Sequence, residues 1–460
     1  MEIEFFGAAG EVTGSCHILH INGHKLLLDC GLIQGGRKHE ARNLGEFPFH
    51  ISDIDAVVLS HAHLDHSGRL PLLVKRGYKG PIYVQHASRD LAEILLRDAA
   101  SLAERDAERQ NKKRERAGKR PVSPLYTESE ARQVVRLMRG MRYREAAEIL
   151  PGVKLTFRDA GHILGSAVVD LDLKSGDSTA RLVFSGDLGQ YDTPVLRDPT
   201  TPDRADLVIM ESTYGGRKHR SRSDTFREIG EILTDVDHGN IIIPAFAVGR
   251  SQELLYLFGR HYDEWDMGRW KIFLDSPLAI AASHIYWDYP HLYDEEATRL
   301  RRNNNEMPPL PNLHFTESPA ESRVINKMRH GAIIIAGSGM CSGGRVLHHL
   351  KHNLWRKDSR VMIVGYQAKG SRGRQLVDGK KYIRIHGEDI RNRATIHTVG
   401  GLSAHGDEGD LVRWYEGFEN RPNVCLVHGE PEAGTKLAEA LRQTGAAVQL
   451  PRPGTRVSIR

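Results

Sequence analysis

The chain has 460 residues, room for two or three domains, with a net charge of +5 at pH 7. Its hydrophobic content is 40% and its mean hydropathy −0.44. No stretch approaches the roughly 18 apolar residues of a membrane span, so no membrane partner is expected. The mild basic excess permits an acidic partner without demanding one. Much of it is concentrated in Lys112 to Arg116 and Lys119-Arg120, which reads equally as a solvated helix face or a phosphate-contacting surface. The four cysteines (Cys16, Cys30, Cys341, Cys425) are far apart and form no CxxC pair. They read as reduced thiols of a cytoplasmic protein.

In chain order, the first elements are short strands separated by turns: MEIEFFGAA, SCHILHI, HKLLLDCG, IDAVVLS and PIYVQH. Helical periodicity follows at about 88–117 and 128–150. Strands return in VKLTFRDA, SAVVDLDL, ARLVFSGDLG and ADLVIMEST. Many strands with helices between them predict sheets covered by helices, an α/β layered domain. After about residue 215 the grammar changes to four units of strand, small-residue loop and helix. The continuous apolar strands IIIPAF, AIIIAG and VMIVGY suit a parallel sheet buried on both faces, a Rossmann-like region. Within it, RRNNNEMPPLPN reads as a polar, Pro-rich loop. After about 376 the strand-rich grammar resumes in KKYIRIHG, RATIHTVGG, NVCLVHGE and the last strand. The predicted organisation is therefore 1–215 and 377–460 as one domain, with 216–376 inserted into it.

The chemistry is concentrated in His61-Ala62-His63-Leu64-Asp65-His66, just after the apolar run Ile54 to Leu59. Three imidazoles and a carboxylate in six residues form a dense set of ligands for a borderline ion such as Zn²⁺. In an extended stretch His61 and His63 point the same way. Asp65 and His66 fall after the turn, where Ser67-Gly68 open a helix-like segment. One loop can therefore offer two ligands to each of two metals. Further ligands must be sought at other strand ends. His162 follows LTFRDA, Asp187 follows LVFS and His428 follows NVCLV, each beside a glycine that permits a sharp turn. Asp29 in LLLDCG repeats the pattern, but it suits a hydrogen bond to a ligand histidine better than direct ligation.

Three loops in the inserted region, at 247–251, 337–344 and 369–374, precede helices and combine glycine with hydroxyl or basic residues. Helix N-termini and strand carboxyl ends favour anions, so Arg250, Ser338, Gly339 and Arg372 are the expected phosphate contacts. No aromatic-rich stacking surface is apparent in the sequence, so base-specific reading is not expected.

These motifs together resemble the metallo-β-lactamase superfamily, with an αββα sandwich as its core. The inserted Rossmann-like region, with Glu211 in MESTYG, His405 in GLSAHGD and His428 in LVHGE, is similar to the β-CASP group. The prokaryotic ribonucleases of that group resemble the chain over essentially its whole length. The endonuclease subunit of the eukaryotic cleavage and polyadenylation specificity factor is a more distant resemblance. The resemblance implies two Zn²⁺ per chain. His61, His63 and His162 would hold one, Asp65, His66 and His428 the other, and Asp187 would bridge. It implies Glu211 and His405 beside the scissile phosphate, with Asp65 also among the catalytic groups. Histidine at 428, where members acting on DNA tend to have an apolar residue, implies RNA.

The expected activity is hydrolysis of single-stranded RNA by a two-metal hydroxide mechanism, endonucleolytic and also 5′-exonucleolytic, leaving 3′-hydroxyl and 5′-phosphate ends. His405 would be the acid for the leaving oxygen. Glu211 would raise its pKa. The alternatives are a DNA nuclease of the same group, a non-catalytic RNA-binding subunit, or a small-molecule hydrolase such as a thioesterase or lactonase. The sequence is compatible with a homodimer. No RNA-binding module is expected ahead of residue 1, so target choice is expected to rest on this chain or on a partner.

Overall fold

The computed structural model describes residues 1–235, 238–304 and 309–459. It divides into two compact units, one comprising 1–193, 197–218 and 405–460, the other 194–196 and 219–404.

The first unit holds two seven-stranded sheets. In spatial order one runs Arg456–Ser458, Glu2–Gly7, Cys16–Ile21, His24–Leu28, Ala56–Leu59, Ile82–Gln85 and Met138–Met141. The other runs Val448–Gln449, Asn423–Val427, Leu207–Glu211, Ser178–Phe184, Ala167–Ser175, Val153–Asp159 and Ala146–Leu150. Alternate residues of both sheets form one apolar core, with Ile3, Leu26, Leu28 and Val58 meeting Leu155, Val169, Leu182 and Ile209. Side chains on the opposite face of a strand must find other cover. On the second sheet Val183, Val208, Met210 and Leu426 pack against Trp414 and Tyr415 of helix Glu408–Glu416 and Leu437 and Leu441 of helix Pro431–Gln443. The first sheet is covered by helices that include His86–Arg116, which lies against strands Ile82–Gln85 and Met138–Met141. The result is an αββα sandwich.

The second unit is built on six strands in the order Leu313–Phe315, Lys271–Leu274, Ala332–Ala336, Ile241–Pro244, Arg360–Ile363 and Thr395–Thr398. Every neighbouring pair is parallel. Ile241–Pro244 and Ala332–Ala336 are buried at every position, as expected of central strands covered on both faces. A two-stranded hairpin, Tyr382–Ile385 with Glu388–Arg391, completes it.

Four sequence expectations change. The helix expected over 128–150 ends at Leu137. Met138–Met141 then pairs parallel with Ile82–Gln85, and Ala146–Leu150 pairs antiparallel with Val153–Asp159. Strand partners override the helical propensity of AAEIL. Gly140 is part of the reason, because a Cβ there would lie 2.4 Å from His86 Nδ1. The helix-like segment expected after Ser67-Gly68 forms as Leu70–Lys75, but an additional helical turn, Leu64–Ser67, precedes it and contains Asp65 and His66. The strands of KKYIRIHG and RATIHTVGG belong to the second unit, which runs to Ala404 rather than 376. Finally, helix Glu295–Asn304 occupies the start of the expected RRNNNEMPPLPN loop, and positions 305–308 lie outside the described residues.

Candidate metal centre and active site

Strand ends of the first unit carry nearly all the polar side chains of the site. His61 follows Ala56–Leu59, His162 follows Val153–Asp159, Asp187 follows Ser178–Phe184 and His428 follows Asn423–Val427. His63 is the N-cap of the turn Leu64–Ser67, which carries Asp65 and His66. Backbone bonds strap that turn to the segment after strand His24–Leu28: Cys30 N–H donates to His66 O at 2.8 Å and Leu32 N–H to Leu64 O at 2.7 Å. Gly31 makes this approach feasible, since a Cβ there would fall 1.6 Å from Asp65 O. His428 lies at φ 51°, in the left-handed region, so its placement depends on local bonds. Its N–H donates to Ala8 O at 2.6 Å, and its carbonyl accepts from Thr213 Oγ1 at 2.9 Å.

The ring nitrogens and carboxylates converge in two adjacent groups. His63 Nδ1 lies 3.1 Å from both His61 Nε2 and His162 Nε2. Asp187 Oδ2 is 3.4 Å from His61 Nε2 and 3.5 Å from His162 Nε2. In the second group, His66 Nε2 and His428 Nε2 are 3.1 Å apart, and Asp65 Oδ2 is 3.5 Å from His428 Nε2. Asp187 Oδ1 is 3.1 Å from His66 Nε2 and 3.6 Å from His428 Nε2. One oxygen of Asp187 thus faces each group.

Hydrogen bonds on the far side of the rings set their tautomers. His66 Nδ1–H donates to Asp29 Oδ2 at 2.7 Å. Ser60 Oγ donates to the same oxygen at 3.0 Å and stands 3.1 Å from His61 Nδ1 as an acceptor. Thr213 Oγ1, whose proton is directed at the His428 carbonyl, stands 3.1 Å from His428 Nδ1. In its neutral form each of these three rings thereby presents a bare Nε2 to the centre. Asp29 also accepts from Ser15 Oγ at 3.0 Å and Ser60 N–H at 2.8 Å. The sequence reading missed Ser15, Ser60 and Thr213. Only Thr213 had a signal, two residues past Glu211 at a strand end.

Burial and then the neighbouring His61 hold the His63 imidazole down at about 3. Burial and then His405 push His162 well down. Burial also opposes a charge on His66, but Asp187 and Asp29 outweigh it and push that ring well up. Burial raises the Asp187 carboxyl, yet the surrounding imidazoles, His428 and His66 foremost, hold it well below the usual carboxylate range.

A divalent cation fits this donor set. Three imidazole nitrogens and a carboxylate oxygen face one point, and two imidazoles and the Asp65 carboxylate face another, with Asp187 Oδ1 3.1 Å from His66 Nε2. Asp187 Oδ1 is buried without a hydrogen-bond donor. A buried acceptor left unpaired is costly unless something else satisfies it, and a cation would.

Glu211 and His405 lie alongside. His405 Nδ1 is 3.0 Å and 3.2 Å from the two Glu211 oxygens, and its Nε2 is 3.9 Å from Asp187 Oδ2. Leu188 joins the three: its N–H donates to Glu211 Oε1 at 2.7 Å and its carbonyl accepts Gly406 N–H at 2.8 Å. Burial lowers the His405 pKa, but the charges of Glu211 and Asp187 prevail and push it up to about 9.

The expected phosphate contacts all fall in the second unit. Arg250 opens helix Arg250–Arg260, is buried, and ion-pairs with Glu253. Ser338 Oγ accepts from the N–H groups of Ser342 and Gly343 at 2.9 Å and 3.2 Å. The Gly339 carbonyl accepts from Gln367 Nε2 at 2.9 Å. Arg372 Nε donates to Arg384 O at 2.9 Å, and its Nη1 to Ser342 O at 3.3 Å.

A two-sheet sandwich with paired His/Asp clusters at its strand ends defines a metallo-hydrolase. Residues 9–216 match the metallo-beta-lactamase superfamily, 251–376 the Beta-Casp domain and 389–451 a Zn-dependent metallo-hydrolase RNA specificity domain. The chain is 39% identical over 462 residues to Ribonuclease TTHA0252 of Thermus thermophilus, covering 100% of both. It is 28% identical to the transcription termination factor FttA of Methanocaldococcus jannaschii, covering 96% of this chain and 69% of that one. A crystal structure of a protein of unknown function from Enterococcus faecalis shares the fold, with a TM-score of 0.58 at 13% identity over 99% of each chain. The chain belongs to the metallo-β-lactamase superfamily and to its β-CASP group, and it is a hydrolytic enzyme of the nuclease class.

Proposed function

We propose that this chain is a metal-dependent ribonuclease that hydrolyses phosphodiester bonds of single-stranded RNA, internally and also from the 5′ end, leaving 3′-hydroxyl and 5′-phosphate ends. The observation that carries the reading is the pair of ligand groups sharing Asp187, with Glu211–His405 beside them. His61, His63 and His162 would hold one Zn²⁺, Asp65, His66 and His428 the other, and Asp187 would bridge. When bound, such a pair neutralises phosphoryl oxygens and makes a water nucleophilic near neutral pH.

The protein side of the reaction follows from the same distances. Asp65, held below the usual carboxylate range by His428 and His66 against the effect of burial, stays ionised and accepts a hydrogen bond from the attacking water. The attacking water releases one proton to solvent as its oxygen bonds to phosphorus, and the bond from phosphorus to the 3′-oxygen breaks. His405, protonated at neutral pH, gives its Nε2 proton to that leaving oxygen. Glu211 holds Nδ1 and keeps the ring charged. Water rather than the ribose hydroxyl is the nucleophile, so the preference for RNA is supported by the match to the RNA specificity domain, by the name of the Thermus relative and by the histidine at 428.

The deciding experiment is incubation with matched 5′-labelled and 3′-labelled RNA and DNA. RNA cut to 5′-phosphate products supports the reading, and the two labels separate internal cuts from stepwise 5′ trimming. DNA cut as well as RNA would remove the substrate assignment. Hydrolysis of thioesters or lactones with no nuclease activity would remove the reaction class.

Asp29 gives a second check. Asp29→Ala frees His66 Nδ1 and leaves Ser15 and Ser60 without their shared acceptor, so metal affinity or activity should fall about 10–100-fold. Titration with zinc against a competing chelator measures it. An unchanged affinity would show that strand packing alone orients His66.

A further inference from the structure

Two large rings stand exposed at the carboxyl ends of neighbouring parallel strands in the second unit. Phe246 follows Ile241–Pro244 and is 44% exposed; Tyr366 follows Arg360–Ile363 and is 64% exposed. Those strands pair directly, so the chains that carry the rings leave the sheet about 5 Å apart. An exposed aromatic normally collapses onto apolar cover. Phe246 is held out by a glycine seat, and the loop that carries Tyr366 is stapled beside it.

The Phe246 ring lies against Gly339 and Gly365. A Cβ at Gly339 would sit 3.0 Å from Phe246 Cδ2 and 3.1 Å from Cε2, and one at Gly365 would sit 3.8 Å from Cε2. Only bare backbone leaves the ring this close. The surrounding loops are fixed by hydrogen bonds. Gln367 Nε2 donates to Gly339 O at 2.9 Å and Gly365 O at 3.1 Å, which staples the Tyr366 loop to the Gly337–Gly344 loop. Ser251 Oγ donates to Phe246 O at 2.7 Å. Ser338 Oγ closes the glycine loop on itself. The segment Tyr366 to Arg374 carries Lys369, Arg372 and Arg374; Lys369 and Arg374 are exposed, Arg374 in an ion pair with Asp378.

Aromatic faces beside cations, on a polar glycine floor, match alternating bases and phosphates. We propose that Phe246 and Tyr366 form a base-stacking platform for single-stranded RNA, with the Lys369–Arg374 segment meeting its phosphates. This rests on the ribonuclease reading above. Stacking needs no particular base, so the platform would grip RNA without reading its sequence.

The test compares binding of two oligomers, a single-stranded RNA and one with abasic sites on the same sugar–phosphate chain, measured by fluorescence anisotropy in an Asp65→Ala background. The unmodified RNA is expected to bind tighter. Phe246→Ala and Tyr366→Ala should each weaken it roughly five- to hundredfold, the range base–aromatic stacking gives, and Phe246→Trp should retain it. The abasic chain should lose little further affinity on either alanine change. Equal binding of the two oligomers by the unaltered platform would overturn the proposal without any mutation at the rings, as would alanine variants with full RNA affinity. Cleavage of RNA by the wild-type chain, measured alongside, separates the two readings. If RNA is cut but the rings do not matter, only the platform fails; if RNA is neither cut nor bound, both fail.

Discussion

Replacing Asp187 by alanine is expected to lower RNA hydrolysis by about 10³–10⁴-fold and to strip the chain of bound metal. The size follows from the several kcal/mol that metal ions contribute to transition-state charge stabilisation. Asp187 faces both clusters, through Oδ2 on one side and Oδ1 on the other. Its removal also leaves buried imidazoles facing one another at 3.1 Å with no anion between them. Metal analysis of the purified variant, beside its cleavage rate, checks this. Asp187→Asn separates charge from shape, because the amide keeps the volume but loses the negative charge. It should behave nearly as badly as alanine. If the asparagine variant retained two metals and full rate, the sharing of Asp187 between two ions would be wrong. Thermal stability is a useful companion measurement. With metal withheld, both variants should be less stable than the wild type at neutral pH, since the carboxylate they lose is one that the surrounding imidazoles hold ionised.

Much of this centre was legible because its first ligands are local. His61 to His66 lie in one short stretch, and no tertiary information is needed to see them as a set. His162, Asp187 and His428 were recognisable one at a time, as polar residues after apolar runs and beside glycine. Their convergence required the two sheets to bring strand ends from residues 61 to 428 together. Ser60 and Thr213 were not recognisable, because a hydroxyl that turns an imidazole looks like any other hydroxyl in a sequence. The fold shows the same division. Apolar runs such as AIIIA announced buried parallel strands, and their neighbours confirm it. The sequence of TIHT reads as a strand but does not say which sheet it joins; pairing with Arg360–Ile363 decides that. Phe246 and Tyr366 read as the last residues of core strands in IIIPAF and VMIVGY. Their exposure depends on where each strand stops and on glycines nearly a hundred residues away in sequence, or directly adjacent.

The second large effect should come from His405, and it should depend on pH. In the proposed role of acid for the leaving 3′-oxygen it would have to be protonated, and general acids contribute about 10²–10⁴-fold. His405→Ala should therefore lose that factor at neutral pH while retaining bound metal, because His405 sits beside the ligand groups and is tied to Glu211 rather than to an ion. In the wild type its pKa is pushed up to about 9. In this reading the charged form is the active one and persists until the pH rises through that value, so loss of the acid should appear as a fall in rate on the alkaline side. Cations at the neighbouring groups would offset the share of the shift due to Asp187, which leaves Glu211 as the charge that sustains it. Glu211→Gln removes that charge but keeps a hydrogen-bonding group at the same place. Its alkaline limb should move to lower pH, towards the ordinary imidazole value, so the loss is small at acid pH and grows steadily above neutrality. A purely structural Glu211 would lower the rate equally at every pH. A pH–rate profile of wild type and Glu211→Gln distinguishes the two. If the limbs coincide, Glu211 does not set the protonation of His405, and the proton for the leaving oxygen must come from elsewhere.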